Sequence, residues 1–334
     1  LEFAMPGGIA GVHPVNVWLL DAEEKVVDFA ATYYRQATSA SLGKIAVAKP
    51  LFEAGEAIAA TVSLSGTTEG ATLRAAVFDT EGRQVSEEKT FAVKDGKGEL
   101  SLAYPHPQTL AARLVCRLYQ GETLLDERVE RVWVKRPEAH DFAFIGWYAP
   151  HEQPGGLFIA KRLRELKVDA QVSLNNNVEK TLNAAYANIR FAPENVARIA
   201  PVPANESLVR EPCLTDPAYR ATVEKRLTAM AREGARYGTL EWSIGDEEAL
   251  ARKADYCFSP SCLEGFRSFL QTRYPSLAVL NENWGSAFRT WEEVKPKRLD
   301  EITPANGSLA PWLEHRRYME SVFADFHTWT REII

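Results

Sequence analysis

The sequence predicts a multidomain protein of the β plus α/β class, in which an immunoglobulin-like β-sandwich precedes an incomplete (β/α)8 TIM-type barrel. The length of 334 residues allows two domains of about 150 residues each. Short alternating strands fill the first part of the chain, whereas strands alternate with amphipathic helices in the second part. We expect a remnant of an N-terminal β module at 1–43, the sandwich at 44–136, and the N-terminal part of the barrel at 137–334.

The composition is that of an ordinary globular protein, and the net charge argues against two classes of binding partner, nucleic acids and anionic membranes. Hydrophobic residues make up 46% and charged residues 25% of the chain, which is enough to build a core. The net charge of −6 lacks the basic character of a nucleic-acid or anionic-membrane binder. No apolar run approaches the roughly 20 residues that span a bilayer. Because the chain begins with Leu1 rather than Met, the sequence leaves the compartment open between cytoplasmic and periplasmic or secreted.

The β elements are predicted from alternation between apolar and polar residues. Two strands at 15–20 and 26–34 flank a polar turn at 21–25. Between 44 and 134, about seven short strands separated by turns favour the sandwich, with Ile58, Ala60, Val62 and Leu64 sharing one face. Cys116 lies among apolar residues of one such strand and is expected to be a core thiol.

In the second part of the chain, from 137 onward, the spacing of apolar residues predicts strands that alternate with amphipathic helices. Strands are predicted at 142–148, 168–174, near 189, and at 239–245, with helices at 157–166 and 217–236. This alternation is typical of a parallel sheet with crossover helices. A final helix at 311–334 carries an apolar stripe and is expected to pack on the sheet.

Three acidic residues follow the fourth predicted strand. Asp246, Glu247 and Glu248 come directly after the strand that contains Trp242. In a parallel barrel the carboxyl ends of the strands carry the chemistry, and crowded like charges beside Trp242 would raise a carboxyl pKa toward that of a general acid. The alternative is a solvated helix start, where acids are also favoured. Phosphate-loop, zincin and serine-hydrolase motifs are absent from the sequence.

The residues around these acids resemble glycoside hydrolase family 42, the β-galactosidase family of clan A, over about residues 140–334. That family has a Trp before an Asn-Glu pair at the fourth strand end, then a cysteine-rich loop and an ordered set of aromatic, apolar and polar positions. A Cys, Pro, Tyr, Arg run upstream is matched within 213–220. The matching residues are Trp242, Cys262, Phe266, Arg267, Leu270, Tyr274, Leu280, Asn281, Trp284 and Gly285.

The resemblance implies retaining hydrolysis of a β-linked sugar, expected to be a β-galactoside, with Glu247 as the general acid/base. Asp246 departs from the family's Asn, which is expected to hydrogen-bond the sugar 2-hydroxyl, and this departure puts the substrate in question. A retaining enzyme also needs a nucleophilic carboxylate. The chain from Ala139 onward is shorter than the roughly 250 residues of a complete barrel. We therefore expect the nucleophile in downstream sequence and no turnover by this chain alone.

Aromatic, amide and guanidinium groups near the other predicted strand ends are candidates for sugar binding. Packing or loop capping is the alternative for each of them. Trp284 and Trp291 could wall a sugar subsite, although core packing is the favoured interpretation. With Asp246, the candidate substrate-binding residues are Trp147, Tyr148, Asn175, Asn176, Asn177, Arg190 and Trp242.

Three cysteines match the zinc ligands that family 42 members often carry. Cys213, Cys257 and Cys262 occupy three ligand positions, and Ser259 stands at the fourth. Asp255 or water could complete a tetrahedral site around a structural zinc ion, with no cofactor required for catalysis. Reduced thiols or a disulfide are the alternative.

A second class of function is a non-catalytic carbohydrate-binding protein built from a sandwich and a degenerate barrel. A purely structural protein does not account for acids at a strand end. The expected partner is a carbohydrate, with neither nucleic acid nor membrane. A second fragment or another copy of the chain is expected to cover the open sheet edge.

Overall fold

The computed structural model describes residues 8–135, 142–147, 155–174, 178–203, 205–251, 255–302 and 307–334. The chain forms two compact units. The first comprises Leu1–Gln171, Glu179–Phe191 and Ala235–Gly238, and the second comprises Val172–Val178, Ala192–Gly234 and Thr239–Ile334. Among the described residues, no helix has the length and apolar character needed to cross a membrane.

A long antiparallel hairpin opens the first unit. Strands β1 (Gly11–Leu20) and β2 (Val26–Gln36) pair along their length, which confirms the two predicted strands. Asp21 orders the turn between them, because its carboxylate accepts hydrogen bonds from the backbone N–H groups of Glu23 and Lys25.

Two four-stranded antiparallel sheets follow and share one hydrophobic core. Ile58, Ala60 and Val62 are buried as their alternation predicts. The buried carboxylate of Asp126 on one sheet accepts a hydrogen bond of 2.7 Å from the N–H of Leu42 on the other. The sheets have the orders β3-β4-β8-β7 and β10-β9-β5-β6, and their strands are β3 (Ala40–Val47), β4 (Ile58–Gly66), β5 (Ala71–Asp79), β6 (Lys89–Phe91), β7 (Val93–Lys94), β8 (Lys97–Leu102), β9 (Ala111–Gln120) and β10 (Thr123–Trp133).

Two details of this two-sheet module bear on the sequence predictions. Strand β3 begins at Ala40, before the expected module start at 44, and its register shifts between Leu42 and Ile45. An apolar alternation interrupted by such a shift does not show the strand's true beginning. Cys116 is fully buried in the core, and burial raises its pKa to about 12, so it is the predicted core thiol.

A third sheet contains the short strands β11 (Ile145–Gly146), β12 (Ala170–Leu174) and β13 (Arg190–Glu194), in that order. Strands β11 and β12 are parallel, as the strand-helix alternation predicts. Helices α1 (Gly156–Glu165) and α2 (Val178–Tyr186) lie between these strands in the chain. Residues from α1 and from the end of α2 cluster around the buried Ile189.

The second unit is mainly helical. Its core contains Phe266, Trp284 and Phe326, so Trp284 is packed in the core as favoured. The expectation that the last helix packs on a sheet was wrong, because α6 contacts α3, α4 and α5. An apolar stripe shows which face is buried but not which element covers it. The helices are α3 (Pro217–Gly234), α4 (Pro260–Arg273), α5 (Leu277–Trp284) and α6 (Ala310–Ile333), with short 3-10 turns at Ala235–Tyr237, Trp291–Glu293 and Leu299–Glu301.

Candidate functional site

The segment predicted as the fourth strand is extended but irregular. Its backbone follows the end of β13: the N–H of Ser243 donates to the carbonyl of Pro193, and the carbonyl of Ser243 accepts from the N–H of Val196. In a regular parallel pair the two partners of one residue are two positions apart, and here they are three apart. Asn195 is therefore an extra residue in the pairing, which explains why 239–245 does not form a regular strand.

Asn195 turns the backbone at the end of β13. Its φ of 59° lies in the left-handed region, which Asn tolerates better than most residues do. Extra residues of this kind re-aim neighbouring side chains and are common beside active sites. Glu194, directly before the turn, is only 3% exposed. Its Oε2 atom and the Oδ1 atom of Asn195 are buried without a hydrogen-bond partner in the described structure.

The three acids after this segment lie in different environments. Asp246 and Glu247 are exposed, and Glu247 has a φ of 48°. Glu248 is held in place: its Oε1 accepts from the N–H of the buried Ile199, and its Oε2 lies 3.0 Å from Nε2 of His327 on α6. No helix begins at these acids, so the helix-start alternative was wrong. The irregular backbone presents Glu247 to solvent while it fixes Glu248.

The negative charge of this region affects the pKa of Glu194, a residue that was not among the candidates predicted from the sequence. Burial, followed by the negative charge of Asp246, raises the pKa of the Glu194 carboxyl, and Arg198 partly opposes the shift. The backbone hydrogen bonds of Ser243 with Pro193 and Val196 place the end of β13 beside the chain that leads into the acid segment (Asp246–Glu248). These acidic residues belong to the second unit.

The other predicted sugar-binding residues have mixed outcomes. Tyr148, Asn175, Asn176 and Asn177 lie outside the described residues. Trp147 follows β11 and is 61% exposed. The ring of Trp242 lies against Gly234 at the end of α3. Arg190 is the first residue of β13, not near its end as expected, because the strand extends four residues further, to Glu194. Their roles in binding stay predictions.

The three predicted metal ligands converge. The Sγ atoms of Cys213, Cys257 and Cys262 lie within 4.8 Å of one another, and all three residues are buried. The Sγ of Cys213 is 3.5 Å from that of Cys262 and 4.0 Å from that of Cys257. The cysteines are free, so the disulfide alternative is not present. Ser259 belongs to the cluster, because its Oγ lies 3.0 Å from the Sγ of Cys213.

The donor set of this cysteine cluster fits zinc. Ligands 2.3 Å from a tetrahedral ion lie about 3.8 Å apart, which falls between the two Sγ distances from Cys213. Backbone N–H groups of Arg210 and Ser259 point at the Sγ of Cys257, as they do toward thiolates. Hydrogen bonds that Cys213 accepts from the thiols of Cys257 and Cys262 lower the pKa of Cys213. The thiol of Cys262 donates to Cys213, which raises the pKa of Cys262, so Cys213 ionises first. Asp255 accepts from Leu299 and Trp312 and is not part of the cluster.

Sequence reasoning missed Glu194, Asn195 and His327. The first two follow the apolar residues of β13 directly, so the rule applied to the other strand ends could have found them. His327 had no local signal, because it sits within the amphipathic pattern of α6 and meets Glu248 only in the folded chain.

The family model for glycoside hydrolase family 42, described as beta-galactosidase, matches residues 201–334. This match confirms, over residues 201–334, the resemblance to that family seen in the residues of the chain.

Part of the chain is also similar to curated proteins. Beta-galactosidase BgaA of a Thermus species and the beta-galactosidase of Thermus thermophilus are each 32% identical over 133 residues. Each match covers 37% of this chain and 20% of the relative, so the chain spans about a fifth of these relatives. A solved beta-galactosidase from the psychrophilic Marinomonas ef1 aligns with 57% of this chain and 35% of its own, at 16% identity and a TM-score of 0.45.

Proposed function

We propose that the protein is a retaining glycoside hydrolase that acts on a β-linked sugar, expected to be a β-galactoside. The observation that carries the proposal is the position of Glu247: it lies where the family has its acid/base, exposed, beside a Glu248 that is already bound on both oxygens. Only one of the two neighbouring glutamates is therefore available to a substrate.

The domain architecture forms part of the same proposal. Two antiparallel sheets around one core support an immunoglobulin-like sandwich, and parallel strands with intervening helices support the first part of a TIM-type barrel. In such a barrel, the end of β13 and the segment after Ser243 are the carboxyl ends of neighbouring strands. Catalytic residues are concentrated at these ends.

In the proposed mechanism, Glu247 in its acid form donates a proton to the glycosidic oxygen as the bond to the anomeric carbon breaks. A second carboxylate, about 5 to 5.5 Å away, forms the glycosyl-enzyme intermediate, and Glu247 then removes a proton from the attacking water. We expect this nucleophile outside the residues that carry the family match. Glu248, held by Ile199 and His327, fixes the backbone that presents Glu247.

The test is Glu247→Gln in the complete protein, assayed with alkyl and aryl β-galactosides. We expect at least about a 100-fold loss of kcat/KM on the alkyl substrate, which needs protonation of its leaving group, and a smaller loss at the first step on the activated aryl substrate. Azide should restore turnover of the aryl substrate by replacing the water that needs a base. Glu241→Gln, which changes an exposed glutamate of the same segment, is the matched control and should keep wild-type activity.

Equal activity of Glu247→Gln and wild type would remove the acid/base assignment. Absence of turnover by the wild type, together with retained sugar binding, would instead establish the non-catalytic carbohydrate-binding protein.

We also propose that Cys213, Cys257 and Cys262 hold a structural zinc ion, with Ser259 or water in the fourth position. The Sγ distances and the N–H groups directed at Cys257 support this proposal. Zinc would link the loop before α3 to the start of α4, because Cys213 and Cys262 lie in those two places.

Metal analysis of protein purified without chelators should find close to one zinc per chain. Cys213→Ala should lose the metal and lower the thermal midpoint, since binding at such sites contributes directly to folding. Cys116→Ala changes a buried thiol outside the cluster and should retain zinc. Wild-type protein without zinc would leave three structural thiols as the explanation.

A further inference from the structure

The end of β13 carries two buried acceptor atoms that the proposed catalytic mechanism does not use. Oε2 of Glu194 and Oδ1 of Asn195 are buried and have no hydrogen-bond partner in the described structure. Buried polar atoms are almost always paired in folded proteins, and unpaired ones are costly. Two on adjacent residues at a strand end therefore indicate a place where a ligand supplies the donors.

The local charge specifies what kind of donor fits. Asp246 is close enough to Glu194 to raise its pKa, and Glu247 is exposed next to Asp246. Arg198 is the positive group that offsets Glu194, and it is itself exposed. His327 is engaged with Glu248. The region thus offers acceptors and negative charge, and the best complement is a cationic group with several N–H donors.

A primary ammonium group meets this requirement, because it carries one positive charge and three donors on one atom. A neutral hydroxyl has one donor and no charge, and would leave part of the acceptor set unpaired. A hard metal ion needs six to eight oxygen ligands. In the part of the chain that is described, the cysteine cluster is the one group of three or more side chains placed to hold a metal.

We propose that Glu194, Asn195 and Asp246 bind the ammonium group of a β-linked amino sugar, which makes amino sugars the preferred substrate class of this site. The inference rests on the proposed function, since it assigns specificity to the same strand-end site. It gives a role to the carboxylate at position 246, which can pair with an ammonium group where an amide could not supply charge.

The test is sugar binding to the complete protein by calorimetry, at a pH at which the amine is protonated. The ligands are galactosamine and glucosamine, their neutral parents galactose and glucose, and the N-acetylated forms, which remove the charge but keep the ring. We expect each free amino sugar to bind at least about tenfold more tightly than its parent or its N-acetyl form, as charge-assisted hydrogen bonds are stronger than neutral ones.

Two variants locate the effect. Glu194→Gln is isosteric and Asp246→Asn changes an exposed residue, so both should fold. Each should reduce the preference for amino sugars several-fold relative to its own binding of the neutral parent. The matched control Glu241→Gln should keep the wild-type preference.

The outcomes separate the two proposals. Equal binding of amino and neutral sugars overturns this inference and leaves a glycosidase of neutral sugars in place. Binding of none of the sugars counts against both. A preference that survives in Glu194→Gln and Asp246→Asn, or calcium binding that these variants abolish, would overturn the assignment of these side chains.

Discussion

Glu248 offers the sharpest test of how the site is held, because both of its oxygens have protein partners. Its side chain is 12% exposed and that of His327 is 24% exposed, so the contact between them is largely shielded from water. Glu248→Ala removes the acceptor from the N–H of Ile199, a residue that is 1% exposed. An unsatisfied buried donor costs about 1 to 3 kcal/mol, and a hydrogen bond to a charged group contributes about 1.5 to 3 kcal/mol. We expect the variant to lose about 2 to 4 kcal/mol of unfolding free energy.

Urea denaturation followed by tryptophan fluorescence measures this loss. The matched control is Glu320→Ala, which breaks the exposed ion pair between Glu320 and Arg316 on α6. This substitution should lower the unfolding free energy by less than about 1 kcal/mol. Equal stabilities of Glu248→Ala and Glu320→Ala would refute the idea that Glu248 anchors the acid segment to α6. If the anchor presents Glu247 for the proposed catalysis, Glu248→Ala should also lower kcat in the complete protein.

Two further predictions concern the same region. Gly245→Ala should destabilise the protein, because the added Cβ would collide with the Glu248 carboxyl; in a double-mutant cycle its cost should be much smaller in the Glu248→Ala background, and full additivity would contradict this. Glu194→Gln should become progressively more stable than wild type as the pH rises in the absence of ligand. The reason is that a carboxyl whose folded pKa is raised stabilises fully below its unfolded pKa of about 4.3 and loses that contribution as the pH rises through the folded value. A stability difference between the two proteins that does not change with pH would remove the inferred environment of Glu194.

Local sequence patterns were enough to predict the elements in which buried residues recur at regular intervals along one segment. The buried face of β4 and helices α3 and α6 are of this kind, since each period shows directly which residues turn inward. The hairpin of β1 and β2 was also predicted from its alternation, although its residues are mostly exposed. The choice of Glu247 over Glu248 came from the resemblance to family 42 and stays a prediction, and the structure adds that both oxygens of Glu248 have protein partners.

The features that could not be predicted from the sequence depend on contacts between segments that are distant along the chain. The pairing of Glu248 with His327, the packing of α6 on other helices, and the extra residue at Asn195 are set by the folded chain. An extra residue is especially hard to detect, because it disrupts the alternation that marks a strand. The strand-end position of Glu194 could be read from the sequence, but its burial could not, because no local pattern indicates it.

The extra residue at Asn195 also bears on how such a site changes during evolution. The hydrogen bonds on either side of it, at Pro193 and at Val196, use only backbone atoms, so they place no demand on side-chain identity. The pairing itself therefore tolerates other side chains, and the restriction at the turn comes from the φ of 59° at Asn195, which favours Asn or Gly. A single insertion or deletion there would change which side chains face the proposed sugar site, so a change of chain length at one position would be enough to alter the proposed selectivity.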